Sequence, residues 1–325
     1  MRPTLAIYGI QDRLEGKHPG YVHDHSLALM QDGKTLKFLQ LERITRRKHD
    51  EHIYQYIEDW IESKILDLPE EFDVIFVDSF VGRAFISKSG RIRFEAPLAK
   101  NLYNGMEEGF CWWYDKKITG YVLNHELAHI YSCVPFYGMF RNNSLLIHFD
   151  GGASQGNFSA WLYRDEKIYP IEYHWDMVQL SKYFNNNALN FAILGMKQDD
   201  HISVAGKLMG YAAYGKPDPK IREWLQENDY FQNIWQNLTP FFMSAKKNFG
   251  WDKEFFSTED PFLQNIAASF QEDFCSQFLL KLMRLQEKFQ CTYLYLSGGC
   301  ALNIVTNTAI DESGLFKEIF IRFIN

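Results

Sequence analysis

The sequence predicts a mixed α/β protein made of two similar lobes with a ligand cleft between them. Three observations lead there. The 325 residues are too many for one small core. Apolar runs of strand length alternate with helical runs, the pattern of mixed α/β lobes. The order strand, turn, hairpin, helix, strand occurs twice, opening near residue 4 and again at residue 144. That puts the first lobe at 1–143 and the second at 144–325, and a crevice between lobes is a natural ligand site.

The elements follow in order. Residues 4–10 are an apolar strand, and Gly16, Pro19 and Gly20 mark a loop. Residues 26–31 and 34–41 flank Asp32-Gly33 as a hairpin. Ile53, Tyr56, Ile57, Trp60, Ile61 and Ile65 share one face of a helix over 51–66, which Pro69 ends. FDVIFVDSF, residues 72–80, is a buried strand. Residues 83–115 carry no regular pattern, and 119–134 read as a helix stopped by Pro135. The pattern then restarts with the strand SLLIHF at 144–149, the turn Asp150-Gly151-Gly152 and a second hairpin, 157–163 with 167–173. A long helix spans 261–289, with Phe262, Ile266, Phe270, Phe274, Phe278, Leu282, Leu285 and Phe289 as its apolar positions. A strand at 292–296, the turn Ser297-Gly298-Gly299, a helix over 301–310 and a strand at 317–323 complete the chain.

The net charge is −7 and the basic residues are scattered, which argues against nucleic acid as a main partner. The most concentrated basic run, RITRRKH at 43–49, is short. Five cysteines with no C-x-x-C spacing read as reduced thiols. No stretch has the length and apolarity of a signal peptide or a membrane span, so a cytoplasmic location is expected.

Several motifs carry chemistry. His125-Glu126-Leu127-Ala128-His129 spells H-E-x-x-H, and imidazoles at i and i+4 of a helix can reach one metal ion. A zinc peptidase also needs a third ligand downstream, yet the extended H-E-x-x-H-x-x-G-x-x-H form is absent. In HFDGGASQG, Asp150 ends an apolar strand and the two glycines after it let a ligand approach the backbone; an ordinary Asp-Gly turn is the plain alternative. LSGGCALN runs from a strand into a helix start, where backbone N–H groups can hold a phosphate or ribose. AGKLMGYAAYGKP could wall a flat ring or simply pack closely. His23-Asp24-His25 precedes the first hairpin and ERITRRKHD follows it, a setting that can hold a carbamoyl or phosphoryl oxygen or be a solvated basic turn.

In series, HDHSLALMQDGK, ERITRRKHD, NHELAHIYS, DGGASQG, GKLMGYAAYG, IAASFQEDF and LSGGCALN resemble the O-carbamoyltransferases of nodulation-factor and antibiotic biosynthesis, over residues 5–323. The first domain of that family is similar to the enzymes that transfer threonylcarbamoyl to tRNA. Both have the duplicated actin, Hsp70 and sugar-kinase fold of ribonuclease H-like lobes. The resemblance implies that His125 and His129 bind a divalent metal, usually iron, with Asp150 as a further ligand. It implies catalytic and carbamoyl-holding roles for His23 and Lys48. It makes Lys207, Gly210, Gly298, Gly299 and Asn303 candidates for the nucleotide-binding walls. The second position of the family's H-x-x-x-H varies, so Glu126 is not expected to be a peptidase base.

The function expected from this resemblance is metal-assisted transfer of a carbamoyl group from a carbamoyl adenylate, formed from ATP and carbamoyl phosphate, to a hydroxyl of a sugar or other small molecule. Neither nucleic acid nor a membrane is an expected partner. Two alternatives differ in class: a regulatory or nonfunctional nucleotide-binding lobe, and the zinc peptidase. Members of the family continue past the strand at 317–323 into a glycine-rich segment with another aspartate ligand, then a second, adenylate-forming domain. The sequence ends at Asn325. The resemblance therefore leads us to expect a truncated chain, a fragment, or a member that works with a separate adenylate-forming partner or as a homo-oligomer, inactive by itself.

Overall fold

A computed structural model describes residues 2–9, 23–77, 84–95, 105–177, 188–197, 201–234 and 236–322. The expected loop at 16–20, residues 78–80 of the expected strand, residues 96–104 and Phe323 lie outside the described residues. The chain forms two compact units. One comprises Met1–Pro135, Gly152–Trp161 and Ile168–His174; the other comprises Phe136–Gly151, Leu162–Lys167 and Trp175–Asn325.

The first sheet is built from β1 (Thr4–Tyr8), β2 (Ser26–Gln31), β3 (Lys34–Gln40), β4 (Asp73–Val77), β5 (Ala84–Ile86), β6 (Ile92–Glu95), β7 (Met106–Trp113) and β8 (Lys116–Leu123), in the order β3-β2-β1-β4-β8-β7-β6-β5. β1, β4 and β8 run parallel, and the β2–β3 hairpin joins β1 antiparallel. The second sheet holds β9 (Ser144–Phe149), β10 (Phe158–Arg164), β11 (Lys167–His174), β12 (Tyr293–Ser297) and β13 (Glu318–Ile321), in the order β11-β10-β9-β12-β13. Here β9, β12 and β13 are parallel. Hairpin, opening strand and two parallel strands thus recur in the same spatial order. This is the duplication that the sequence pattern predicts and the lobe topology that the resemblance implies. Strands β7, β6 and β5 extend only the first sheet, antiparallel throughout.

Side-chain alternation explains the strands. In β1, Leu5 and Ile7 are fully buried, as are Val74 of β4 and Val122 of β8. Each such aliphatic side chain contributes about 2 kcal/mol of burial. All six residues of β9 are buried, the mark of a parallel strand covered on both faces.

The helices in chain order are α1 (Leu41–Thr45), α2 (Ile53–Glu62), α3 (His125–Tyr131), α4 (Val134–Tyr137), α5 (Ala188–Leu194), α6 (His201–Ala212), α7 (Pro219–Glu227), α8 (Thr239–Phe249), α9 (Pro261–Phe289) and α10 (Ile304–Glu312). α2 buries Ile53, Ile57 and Trp60, one stripe at i, i+4 and i+7. α9 starts where Asp260 accepts from the N–H of Phe262 at 2.8 Å with Pro261 in the first turn, and it stops at Gln290 in the left-handed region.

Three expectations need correction. The helix expected over 119–134 is a strand, β8, followed by the short helix α3. Parallel pairing of 120–123 with β4 outweighs helical propensity there, and Asn124 marks the change by accepting from the N–H of Leu127 at 3.2 Å. The region 83–115, without pattern in sequence, contains β5, β6 and β7. The helix expected from residue 301 begins at Ile304, because Asn303 caps it and Gly299–Leu302 form a 3-10 turn.

Candidate active site

The first unit carries its candidates on side chains. Two sequence segments meet at the open end of the β2–β3 hairpin. Pairing of Ser26 with Gln40 brings the residues before β2 next to those after β3. The N–H of Leu41 donates to the carbonyl of His25 at 2.9 Å, and the N–H of His25 donates to the carbonyl of Asp50 at 3.2 Å. Asp50 is itself fixed: the Thr45 hydroxyl donates to its carboxylate at 2.7 Å, and the N–H and ring of His52 lie 3.1 and 2.8 Å away.

This frame gathers His23, Asp24 and His49. The Nδ1 of His23 is 2.5 Å from Asp24 Oδ2, and the Nδ1 of His49 is 3.0 Å from Asp24 Oδ1. The two rings meet edge to face at 5.5 Å. Burial alone would raise the Asp24 carboxyl, but the hydrogen bonds and charges of His23 and His49 outweigh it and bring it to about 2. Asp24 and His49 both have left-handed backbones, φ 60° and 58°. The sequence points to His23 and Lys48 here. The fold places Lys48 on the exposed side of the same turn and adds Asp24 and His49, to which the sequence assigned no role. The signal available for them was the H-D dipeptide repeated at 23–24 and 49–50.

Helix α3 holds His125 and His129 one turn apart, with their Nε2 atoms 3.0 Å from each other. His125 is buried and His129 half-buried. Two soft-to-borderline nitrogen donors converging on one point suit a transition-metal cation. The Tyr8 ring, at the end of β1, lies edge-on to both His25 and His125, at 6.3 and 6.0 Å.

Glu126 between them points the other way. It is fully buried, and its Oε1 accepts from the N–H groups of Gln155 at 2.7 Å and Gly156 at 3.2 Å. The N–H of His125 donates to the Ser154 hydroxyl at 3.0 Å. Burial pushes the Glu126 carboxyl above the usual carboxylate range, while the N–H of Gln155 pulls it the other way. A carboxylate turned onto backbone amides is not placed to activate a water on a metal, which removes the general base a zinc peptidase needs. Glu126 instead fastens the first turn of α3 to residues 154–156.

The second unit carries its candidates on bare backbone. Asp150 follows β9, and its Oδ1 accepts from the N–H of Gly151 at 2.6 Å. Gly298 follows β12 with φ +96°, and a Cβ there would sit 2.4 Å from the carbonyl oxygen of Phe149. A Cβ on Gly299 would sit 2.9 Å from Asp150 Oδ1. The ends of β9 and β12 therefore approach as closely as only glycine allows. Burial, then the charge of Asp150, pushes the Cys300 thiol well above its ordinary range, so it stays protonated.

The remaining nucleotide candidates differ in character. Asn303 is buried and committed internally: its Oδ1 accepts from the N–H of Thr306 at 3.0 Å, and its amide exchanges hydrogen bonds with Gln271. Lys207 and Gly210 lie on the exposed face of α6, whose inner face buries Val204, Leu208 and Tyr211. Gly206 and Gly210 share that outer face at i and i+4, and a Cβ added at either meets nothing within 4 Å. Asp150, Gly298, Gly299, Asn303, Lys207 and Gly210 all belong to the second unit, and His23, Lys48, His125 and His129 to the first.

Comparison with known proteins adds the following. A family model described as carbamoyltransferase N-terminus matches residues 111–324. Nodulation protein NolNO of Sinorhizobium fredii is 24% identical over 327 residues, covering 93% of this chain and 44% of that protein. Nodulation protein U of Azorhizobium caulinodans is 22% identical over 342 residues, covering 92% of this chain and 58% of that protein. The chain spans about half the length of the curated relatives it matches. Full-length HypF in its phosphate- and nucleotide-bound form aligns with a TM-score of 0.44 at 13% identity, over 98% of this chain and 52% of that one.

Proposed function

Since the chain belongs to the carbamoyltransferase N-terminus family, we propose that it transfers a carbamoyl group from a carbamoyl adenylate to a hydroxyl of a sugar or other small molecule in the cytoplasm. The observation that carries this reading, beside the family, is the pair of imidazole nitrogens of His125 and His129 converging at 3.0 Å. Two imidazole donors one helical turn apart fit Fe2+ or a similar ion, and the resemblance implies a carboxylate as a further ligand. Such an ion, when bound, polarises the carbamoyl carbonyl as a Lewis acid.

The chain's own residues supply the rest. The acceptor oxygen bonds to the carbamoyl carbon, the bond from that carbon to the phosphate oxygen breaks, and AMP leaves. His23 takes the acceptor's proton; Asp24 holds its Nδ1, so Nε2 is the atom that receives it. Lys48 offsets negative charge developing on the carbamoyl oxygen. Glu126 keeps the α3 imidazoles in place through residues 155 and 156. The adenylate lies against the backbone of Gly298 and Gly299 and the exposed α6 face at Lys207 and Gly210. Asn303 supports that wall from within.

The test separates chemistry from scaffolding. Iron-loaded protein is supplied with carbamoyl adenylate, or with ATP and carbamoyl phosphate, and a panel of hydroxylated acceptors, and carbamoylated product is followed by mass spectrometry. His125→Ala/His129→Ala should abolish transfer and lower metal content while leaving adenylate affinity within a few-fold. Gly210→Val adds bulk in open space, so it should weaken adenylate binding without altering the fold. Adenylate binding without transfer to any acceptor would favour the nucleotide-binding lobe. Absence of both sinks the proposal.

A further inference from the structure

We propose that His23, Asp24 and His49 form a second cation site in the first unit, one that takes a divalent transition-metal ion through two imidazoles and one carboxylate. The proposal goes beyond the transferase reading, which needs one ion at His125 and His129.

Four observations carry it. Each of the three residues offers a donor atom, and these atoms all lie within 4.8 Å of one another. Both Nδ1 atoms face the same carboxylate, His23 at 2.5 Å and His49 at 3.0 and 3.3 Å. Bonds of about 2.0–2.2 Å to a four-coordinate ion put donors roughly 3–3.5 Å apart, so small side-chain adjustments open the space required. Two imidazoles and a carboxylate on one side of an ion leave positions open for water or substrate.

Second, the donors are pre-positioned. The hydrogen bonds between His25 and Asp50 and between Leu41 and His25 lock the two segments together. Third, Asp24 and His49 both hold left-handed backbones, and such strained residues concentrate where a site constrains them. Fourth, the cluster is reachable but partly sheltered, with side chains of His23, Asp24 and His49 exposed by 32%, 18% and 25%. The neighbouring cations Arg46, Arg47 and Lys48 are exposed, so solvent screens their repulsion of an ion. An ion bound at the two Nδ1 atoms leaves each neutral ring with its proton on Nε2, so the occupied site and the acceptance of a proton at His23 Nε2 are alternative states of the same turn.

The experiment uses Co2+ as probe on the full chain after chelator treatment. Bound metal is counted by plasma mass spectrometry, and the visible cobalt band is followed during titration. Wild type should bind two ions. Asp24→Asn and His49→Gln should each bind one, with the lost site weakened at least about tenfold. His125→Ala/His129→Ala should also keep one, and adding Asp24→Asn should remove it. In wild type without any substitution, Co2+ should protect His23 and His49 from diethyl pyrocarbonate, read by peptide mass spectrometry. That readout holds even if a variant fails to fold. One ion only, lost in His125→Ala/His129→Ala but kept in Asp24→Asn and His49→Gln, overturns this site and leaves the transferase reading standing. One ion lost only in Asp24→Asn supports this site and removes the metal from the transferase reading. Equal labelling of His23 and His49 with and without Co2+ also overturns it.

Discussion

The two sheets share one plan and use it differently. Beyond the parallel strands of the first unit stand clustered polar side chains: His23, Asp24, His49, His125 and His129. Beyond β9 and β12 in the second unit stand Gly298, where the carbonyl of Phe149 leaves no room for a Cβ, and Gly299, where a Cβ would press on the Asp150 carboxylate. The first arrangement depends on hydrogen bonds and charge. The second depends on steric absence. One topology, used twice, thus presents two kinds of surface, and each should fail in its own way.

The largest effect should come from Gly298→Val. It forces a side chain into a left-handed backbone and onto a carbonyl 2.4 Å away, so roughly 3 kcal/mol or more of stability should be lost. Urea unfolding would show it, and because the fold itself suffers, loss of nucleotide binding in this variant says nothing about the ligand. An unchanged midpoint would mean that the close approach of β9 and β12 is not needed.

Next is Glu126→Ala, which leaves the part-buried amide of Gln155 and the buried amide of Gly156 without their acceptor. A cost of about 2–3 kcal/mol is expected, and Glu126→Gln, which keeps a carbonyl oxygen, should cost clearly less. If the two variants unfold at the same urea concentration, the attachment of α3 to residues 155 and 156 contributes little.

A smaller effect should appear in acid. The Asp24, Asp50 and Glu58 carboxyls of the first unit are held below their ordinary ranges: burial works against this in each, and hydrogen bonds from His23, Thr45 and Ser87 respectively lead the opposing influences. A lowered carboxyl stabilises the fold above its unfolded value, 3.8 for Asp and 4.5 for Glu, and that contribution fades as pH falls through the folded value, about 2 for Asp24. Glu126, raised, has the opposite sign and favours the fold below 4.5, with its contribution lost as pH rises through the raised value. Hydrogen exchange at pH 3 should therefore loosen residues 23–62 before it loosens α3. Loosening of α3 first would contradict this assignment of charge.

Gly210→Ala should give the smallest change and the opposite sign, a gain of about 0.5–1 kcal/mol, because the added methyl meets nothing and helix propensity improves. A loss of stability would show that the outer face of α6 is covered by something in the folded protein.

Much of the fold was legible in the sequence where local signals agree. The bounds of α9 follow from an Asp cap, a proline in the first turn and a periodic row of phenylalanines. The hairpins follow from Asp32-Gly33 and from the polar turn at 164–166. What failed was set by pairing. Residues 116–131 are apolar on several faces, so only the parallel register with β4 tells strand from helix. Strands β6 and β7 bury Phe94, Cys111 and Trp113 but expose Phe110 and Trp112, which blurs their alternation. The site divides along the same line. His125 and His129 are four residues apart and could be read directly. Asp24 and His49 lie 25 residues apart and meet only because the hairpin closes between them. The role of Glu126 needed residues 155 and 156 to be in place.

The anchoring of Glu126 also bears on how this chain can be divided. Residues 125 and 126 hold on to Ser154, Gln155 and Gly156, and the stretch Gly152–Trp161 is grouped with Met1–Pro135, although Phe136–Gly151 belongs to the other unit. The polypeptide leaves the first unit and returns to it. A recombinant piece ending at Pro135 would look like a tidy domain in a sequence alignment, yet it would carry α3 with a stripped carboxylate in its first turn. Limited proteolysis should accordingly yield no stable fragment ending near residue 135, and a self-sufficient first unit would have to run at least to His174.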